Sequence, residues 1–177
     1  DYFETVRQKH ATDDVNINAA LSLAGNALSV TSETIDIGAV AITTTTGNQT
    51  YTGTLGLAGS TLTTGTGAII LGGNVNVAGS ALSTIAGNLN LGGATRTFTV
   101  PDAVAGAGTD LSVTALVSNG GITKAGVGTM ALTGANTYAG PTTVSASGGI
   151  LSATVNSTQN SLGSSAATVN ASATLLV

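Results

Sequence analysis

Charge is what this sequence has least of. Only 7% of its 177 residues are charged, and Lys and Arg together number 4, whereas ordinary soluble domains carry roughly 25% charged residues. So few basic residues cannot neutralise a phosphate backbone, and we expect no nucleic-acid partner. Cysteine is absent, which excludes a disulfide framework but is compatible with an extracellular protein. No run of about 18 apolar residues occurs, so the sequence predicts no transmembrane helix.

The chain is nevertheless rich in apolar residues, which alternate with small ones. Hydrophobic residues make up 42% of the sequence, too many for a disordered chain. A short motif recurs, in which two apolar residues one position apart are followed by two small residues. Its copies begin at Leu21, Ile35, Leu55, Val75 and Leu89, and the first and last steps between copies are shorter than the two equal steps in the middle. A unit of this length cannot bury its own apolar face and must stack on its neighbours.

These repeats predict an all-β fold, a parallel β-solenoid. Gly and β-branched residues are poor helix formers, and no helical apolar period extends beyond residue 14. At about 20 residues a turn, residues 15–177 would form a single solenoid domain of roughly eight or nine turns. With turns stacked about 4.8 Å apart, the rod would be about 40 Å long. The two shorter steps leave two alternatives open: some turns are truncated, or the motif occurs twice in one turn.

Three segments depart from the repeat. Residues 1–14 hold half of the charges and are expected to form a charged N-terminal cap or arm, either as a short amphipathic helix or as an extended arm. Residues 101–110 are rich in turn formers and are expected to leave the stack as a loop, before a return strand over 111–117. The apolar run at 173–177 would be sticky as a free end, so it predicts either a cut or a surface that meets another subunit.

Alternation along the strands predicts which side chains face inward. Leu28, Ile42, Leu62 and Leu82 occupy the same place after their motif starts and are expected in the core, while Arg96 at the equivalent place predicts a register slip or an opened turn. The flanking residues are small and mostly hydroxylated. They suit solvated strands, but they also predict a flat, nearly uncharged interaction face. The candidate residues of this face are Thr43, Thr61, Thr63, Ser83, Thr95 and Thr97.

Few residues offer catalytic or metal-binding chemistry. The single histidine, His10, lies in the charged N-terminal segment, which is a poor basis for a Ser/His/Asp site. Asp13 and Asp14 are adjacent carboxylates without the further oxygen ligands that calcium requires. Asp102 and Asp110 flank the predicted loop and would act together only through an accident of folding. We therefore expect no enzyme activity, no metal site and no cofactor.

From residue 120 the sequence resembles a known repeat. Residues 120–140 read GGITKAGVGTMALTGANTYAG and are followed by PTTVSASGGIL. With residues 161–175 after it, this stretch resembles the passenger-associated transport repeat of bacterial autotransporters. Residues 70–95 are similar to the haemagglutinin-type repeats of two-partner secreted adhesins. Both resemblances imply a right-handed parallel β-helix that is secreted from a Gram-negative cell and displayed or released outside it.

Within this stretch the alternation itself assigns physical roles. Met130 and Leu132 are expected to fill the core, and Tyr138 to act as a core filler or to pack at a corner. Asn136 is expected to form a turn or to join an internal ladder of amides.

Together these features predict a non-enzymatic, extracellular structural or adhesive β-helix segment of a secreted bacterial surface protein, which acts as a stalk or associates with itself into fibres. The expected partners are other copies of the chain, end to end or side by side, and host or surface glycans. Two alternatives stay open. One is a carbohydrate-active or glycan-binding β-helix protein, and the other is an ice-binding solenoid whose face would be the threonine column.

Overall fold

The computed structural model describes residues 5–7, 14–104, 106, 108–156, 159–164 and 166–177. Every regular element among these residues is a β-strand, as the alternation of apolar and small polar residues predicts. No helix in the described part of the chain is long and apolar enough to cross a membrane.

The strands are short and follow one another along the whole described chain. They are β1 (Thr5–Arg7), β2 (Val15–Ile17), β3 (Leu21–Ser22), β4 (Leu28–Ile37), β5 (Ala41–Thr44), β6 (Gln49–Leu57), β7 (Thr61–Thr64), β8 (Ile69–Leu71), β9 (Val75–Val77), β10 (Ser83–Ala86), β11 (Asn88–Thr99), β12 (Leu111–Val113), β13 (Leu116–Ala125), β14 (Thr129–Leu132), β15 (Thr142–Val144), β16 (Ile150–Ala153), β17 (Val155–Asn156), β18 (Gln159–Asn160), β19 (Ala167–Val169) and β20 (Thr174–Leu176).

Two parallel sheets wrap around one core. The eight-stranded sheet has the order β20-β16-β14-β12-β10-β7-β5-β3, and the ten-stranded sheet has the order β1-β4-β6-β8-β11-β13-β15-β19, with β2 and β9 beside this path. Strand β6 pairs with β8 along its first part and with β9 along its last part. Each such turn therefore gives two segments to the ten-stranded sheet and one to the eight-stranded sheet, which is the predicted β-solenoid.

The solenoid has about seven turns, fewer than the eight or nine predicted, so the stacked length is about 34 Å rather than about 40 Å. The reason is that the two turns on either side of Ile85 are longer than the turns around them. In the eight-stranded sheet Ile42 lies opposite Leu62, Leu62 lies opposite Ile85, and Ile85 lies opposite Val113. The distance along the sequence grows at each of these steps.

Register also explains the shorter steps in the repeated motif. Ile35 pairs with Leu55, and Leu55 with Val75, so these three copies stack in one column. Leu21 lies in the eight-stranded sheet opposite Ile42, and Leu89 lies opposite Ile69 in a different part of the ten-stranded sheet. The motif therefore occurs on more than one side of a turn, which decides between the two alternatives.

The core is a set of aliphatic columns that run through successive turns. One column contains Leu21, Ile42, Leu62, Ile85, Val113, Leu132 and Ala153. Leu28, Ile42 and Leu62 are buried, as predicted, and so are Met130 and Leu132. The prediction that Leu82 is buried is wrong, because 44% of this residue is exposed. Residues 78–82 are all exposed and make this turn three residues longer than the one before it, so Ile85 takes the inward place.

The ten-stranded sheet bends where β6 passes from its pairing with β8 to its pairing with β9. Glycines occur at this bend because successive turns lie too close together for a side chain. A Cβ on Gly53, whose φ is +137°, would overlap the carbonyl oxygen of Ser32 in the preceding turn, and a Cβ on Gly73 would overlap that of Gly53. Turns about 4.8 Å apart leave no room for a side chain that points along the stack. The glycines at this bend are therefore a consequence of stacking.

The predicted loop is confirmed in part. Residues 101–110 contain no strand among their described residues, and the chain then returns. The return is not one strand over 111–117, because β12 joins the eight-stranded sheet and β13 joins the ten-stranded sheet. A register shift occurs in the pairing of β11 with β13 between Asn90 and Ala94, and Arg96 after it pairs with Ile122. A similar shift occurs between Thr31 and Thr34 without an arginine, so the slip belongs to the bend of the sheet and is not caused by Arg96.

The two ends of the described solenoid differ. At the N-terminal end Thr5–Arg7 form a strand paired with β4, with Val6 opposite Val30, so a helix is excluded for these three residues. The other residues of the predicted cap, 1–4 and 8–13, lie outside the described part, and the cap stays a prediction. In the last turn, Leu176 and Val177 are 51% and 76% exposed.

Candidate functional site

The outer face of the eight-stranded sheet carries no charge. Its eight strands contain no Asp, Glu, Lys or Arg. Two outward columns run along it, which we call the neutral face. One contains Ser22, Thr43, Thr63 and Ala86, and the other contains Ala41, Thr61, Thr84, Ser112, Ala131 and Ser152. Small side chains in parallel register make this face flat over most of the rod.

Three of the six predicted face residues lie on the neutral face. For a fourth, Ser83, the predicted outward orientation is wrong. Thr43 and Thr63 are half-buried neighbours in adjacent strands, and Thr61 is exposed beside them. Ser83 was expected to point outward but is fully buried. Its Oγ accepts hydrogen bonds from the backbone N–H groups of Gly59 (3.1 Å) and Ser60 (3.3 Å). The three-residue extension before β10 is the cause, because it shifts the alternation by an odd number.

Thr95 and Thr97 lie on β11 in the ten-stranded sheet and do not share a face with the other candidates. Thr97 instead begins a second column. Thr97, Thr123, Thr143 and Thr168 are register neighbours in four successive strands. This threonine ladder is not apparent in the sequence because its strands are separated by turns of unequal length. The ice-binding alternative depends on such a column and stays a prediction.

Arg96 lies beside Thr95 and Thr97, but its guanidinium is used by the backbone. Nε donates to the carbonyl of Leu91 (2.8 Å), Nη1 to that of Gly72 (2.9 Å) and Nη2 to that of Leu71 (2.8 Å). These carbonyls flank the bend, where the ladder between turns is interrupted. The arginine therefore joins the backbones of two successive turns at the bend.

Lys124 is a buried cation whose role is not apparent from the sequence pattern. It points inward from β13, between Phe98 and Val144 in the neighbouring strands, and its side chain is 0% exposed. Nζ donates to the carbonyls of Ala125 (3.0 Å), Gly126 (2.7 Å) and Gly148 (2.7 Å). An ammonium has three donors, and all three are used. Burial lowers the pKa of Lys124 to about 8, and the attraction of Asp110 opposes part of this shift.

Asp110 is the buried anion of the same region. Its Oδ1 accepts hydrogen bonds from the N–H groups of Ala103 (2.8 Å) and Val104 (2.7 Å), and its Oδ2 accepts one from Thr129 (2.7 Å). Asp102, by contrast, is exposed. The two carboxylates that flank the loop therefore do not act together, and Asp110 instead holds the loop against the next turn.

Asn136 and Tyr138 bind the chain that follows the hairpin of β17 and β18. Asn136 Oδ1 accepts from the N–H of Val117 (2.7 Å), and Nδ2 donates to the carbonyl of Ser161 (2.7 Å), so one amide joins the preceding and the following turn. The predicted turn or ladder role is replaced by this bridge. Tyr138 is fully buried, as predicted, and its hydroxyl is 2.7 Å from Thr142 Oγ1.

A second buried polar cluster lies in the N-terminal half. Gln49 is 0% exposed, and its Nε2 donates to the carbonyls of Thr63 (2.8 Å) and Ile42 (3.3 Å). Tyr51 donates its hydroxyl to Gln49 Oε1 over 3.0 Å, and burial raises the pKa of Tyr51. These contacts lie within the core and leave no polar atom of the cluster directed at solvent.

An apolar cavity of about 240 Å³ lies at the N-terminal end of the described solenoid. Its lining consists of Val15, Asn16, Ile17, Asn18, Ala19, Leu21, Leu28 and Val30. None of these lining side chains is ionisable, so the cavity offers shape and apolar surface but no acid or base.

Most of the remaining catalytic candidates fall outside the described residues. His10 and Asp13 lie outside the described residues, and Asp14 is exposed at the start of the second described range. Among the residues that the structure describes, no group of three or more His, Cys, Asp or Glu side chains could hold a metal ion. What the described residues do assemble is a neutral outer face and a set of buried polar side chains that bind backbone groups.

Residues 122–153 match the sequence model of the passenger-associated-transport-repeat, in agreement with the resemblance found over residues 120–175. No curated protein and no solved structure matches the chain. The repeat and the β-solenoid fold fit a secreted autotransporter passenger segment, and the repeat family implies a secreted or cell-surface location in Gram-negative bacteria.

Proposed function

We propose that this chain is a non-enzymatic, extracellular structural segment of a Gram-negative surface protein, and that copies of it associate side by side through the neutral face. The observation that carries the proposal is the complete lack of charged residues in the eight strands of this sheet. The charged side chains that the structure describes lie on other parts of the solenoid or in its core.

Such a face suits lateral packing for two physical reasons. Bringing two neutral faces together desolvates no ion and creates no like-charge repulsion. Small hydroxyl and methyl groups in register also form a flat surface, and two flat surfaces exclude water over a long contact. Continuous parallel ladders through about seven turns supply the stiffness that a stalk or fibre needs.

The non-enzymatic part of the proposal is supported by what the buried ions do. The carboxylate of Asp110 and the ammonium of Lys124 are occupied by backbone groups. Neither is directed at a cleft where a substrate would bind.

The test is to place charge on the neutral face. Thr61→Lys combined with Thr63→Lys puts two ammonium groups on it, and Thr95→Lys combined with Thr97→Lys is the matched control. Both pairs join one exposed and one half-buried threonine, but the control pair lies on the other sheet. Light scattering and electron microscopy would measure assembly of the 17.0 kDa chain.

We expect the wild type and the control pair to form assemblies larger than the monomer, and the neutral-face pair to remain monomeric while keeping its β-sheet circular dichroism. A monomeric wild type at high concentration would overturn the proposal. So would equal loss of assembly in both variants.

A further inference from the structure

Lys124 occupies a position where an apolar residue would be expected. Its neighbours in the same inward column are Phe98 and Val144, which are both fully buried. Replacing a buried ion by an apolar residue of similar volume is often neutral or stabilising, so a buried ion is weak evidence for stability. Its best-attested use is to specify one arrangement among several.

The contacts of Lys124 tie two successive turns. Ala125 and Gly126 belong to its own turn, whereas Gly148 belongs to the next one and its carbonyl lies 2.7 Å from Nζ. Gly148 is brought there by the tight turn in which its N–H donates to the carbonyl of Ser145 over 2.8 Å. That turn follows directly from the pairing of Lys124 with Val144.

Asp110 extends this arrangement to the preceding turn. Its carboxylate holds Ala103 and Val104 of the loop and Thr129 of the following turn, and its charge acts on Lys124. A cation and an anion, both buried, therefore link three successive turns through six hydrogen bonds to the backbone.

The apolar core alone fixes the register of β13 and β15 weakly. A slip of two residues keeps the alternation, places Ile122 opposite Val144 instead of Thr142, and places Thr123 opposite Ser145 instead of Thr143. These exchanges set an apolar residue against an apolar one and a hydroxyl against a hydroxyl. The chain tolerates register changes elsewhere, in the pairings of β4 with β6 and of β11 with β13. Slipped by two residues, however, Lys124 would lose the carbonyl of Gly148.

We propose that Lys124, with Asp110, is a register lock: the two buried ions select the one stacking of β13 on β15 in a repetitive chain whose apolar columns would accept others. This role is independent of the proposed self-association, because both side chains lie inside a single solenoid.

The test uses disulfide cross-links, which are clean because the chain has no cysteine. Thr123→Cys with Thr143→Cys reports the native register, since parallel neighbours lie about 4.8 Å apart and disulfides join Cα atoms about 4.4–6.8 Å apart. Thr123→Cys with Ser145→Cys reports the slipped register, because these Cα atoms are about 8 Å apart in the native pairing. Each pair is placed in the wild type, in Lys124→Met and in Val144→Met, the control substitution one turn along the same column.

After refolding and oxidation, we expect the wild type and Val144→Met to form only the native cross-link. Lys124→Met should form the slipped cross-link in more than about a tenth of the chains, which corresponds to registers within about 1.4 kcal/mol of each other. If a folded Lys124→Met variant forms native cross-links alone, the proposal is overturned.

Should Lys124→Met fail to fold, Lys124→Gln takes its place, because its amide keeps two donors but has no charge. Slipped cross-links in that variant support the lock, and native cross-links alone overturn it. If neither variant folds, the proposal is also overturned, because the ion would then serve stability rather than register.

Discussion

The turns before Val77 and the turns after Val100 solve the same stacking problem in different ways. The early turns repeat at an even spacing through Ile35, Leu55 and Val75, and the polar side chains buried in them, such as Gln49 and Ser60, are uncharged. The later turns differ in length, include the loop at 101–110 and the hairpin of β17 and β18, and bury Asp110, Lys124 and Asn136.

After Val77, several of the buried polar side chains lie where a turn departs from the regular ladder. Asp110 binds N–H groups of the loop, and Asn136 binds the carbonyl of Ser161 after the hairpin. Ser83, which follows the three-residue extension in its turn, likewise binds N–H groups of Gly59 and Ser60. A backbone group that loses its partner in the next turn must find another, because an unpaired buried group is costly. Irregular turns are therefore tolerated where a polar side chain replaces the missing partner.

Removing Asp110 should give the largest effect of this kind. Asp110→Ala leaves three N–H groups without their acceptor and Lys124 without its counter-charge, so we expect the free energy of unfolding to fall by about 3–5 kcal/mol. Urea denaturation followed by circular dichroism would measure it. Asp102→Ala, at the exposed end of the same loop, is the control and should change stability by less than about 0.5 kcal/mol. Similar losses for both variants would contradict the role given to Asp110.

Mild alkali should have a smaller effect on the free energy of unfolding, and it should act through Lys124 in the later turns. Burial lowers the pKa of Lys124 from 10.5 to about 8, so between these values the unfolded chain binds more protons than the folded chain. The free energy of unfolding therefore rises as the pH is raised from 8 towards 10, and this gain is lost when the pH falls below 8. Burial raises the pKa of Tyr51 and of Tyr138, which lowers stability above pH 10 and limits the useful window.

Urea midpoints measured from pH 7 to 10 test this dependence. They should increase for the wild type and stay level for Lys124→Met, which has no ammonium to titrate. A wild-type midpoint that stays level over this range would show that Lys124 keeps its proton in the core.

The regular half of the fold was accessible from sequence because its signal is local. The motif copies at Ile35, Leu55 and Val75 are one turn apart, and the alternation around Ile42 and Leu62 correctly predicts which residues are buried. A parallel solenoid with no described helix and a loop after residue 100 follow from the same pattern. The resemblance over 120–175 is supported by the match at 122–153.

What the sequence could not supply was the length of each turn. Three extra residues before β10 turn Leu82 outward and Ser83 inward, and the loop at 101–110 reduces the number of turns. The six candidate face residues were treated as one column for the same reason, although Thr95 and Thr97 lie on the other sheet. The sequence does not predict Lys124 as a core residue because lysine is almost never fully buried. Its role becomes clear only from its contacts in the structure.

The two buried tyrosines allow the smallest test of the difference between the two halves. In Tyr51→Phe, Gln49 Oε1 loses its hydrogen bond from the Tyr51 hydroxyl. In Tyr138→Phe, Thr142 Oγ1 still donates to the carbonyl of Leu162 over 3.2 Å. We therefore expect Tyr51→Phe to lower the free energy of unfolding by about 1–2 kcal/mol and Tyr138→Phe by less than about 1 kcal/mol. Urea denaturation of both variants compares them directly, and the reverse order would contradict the contacts assigned to Gln49.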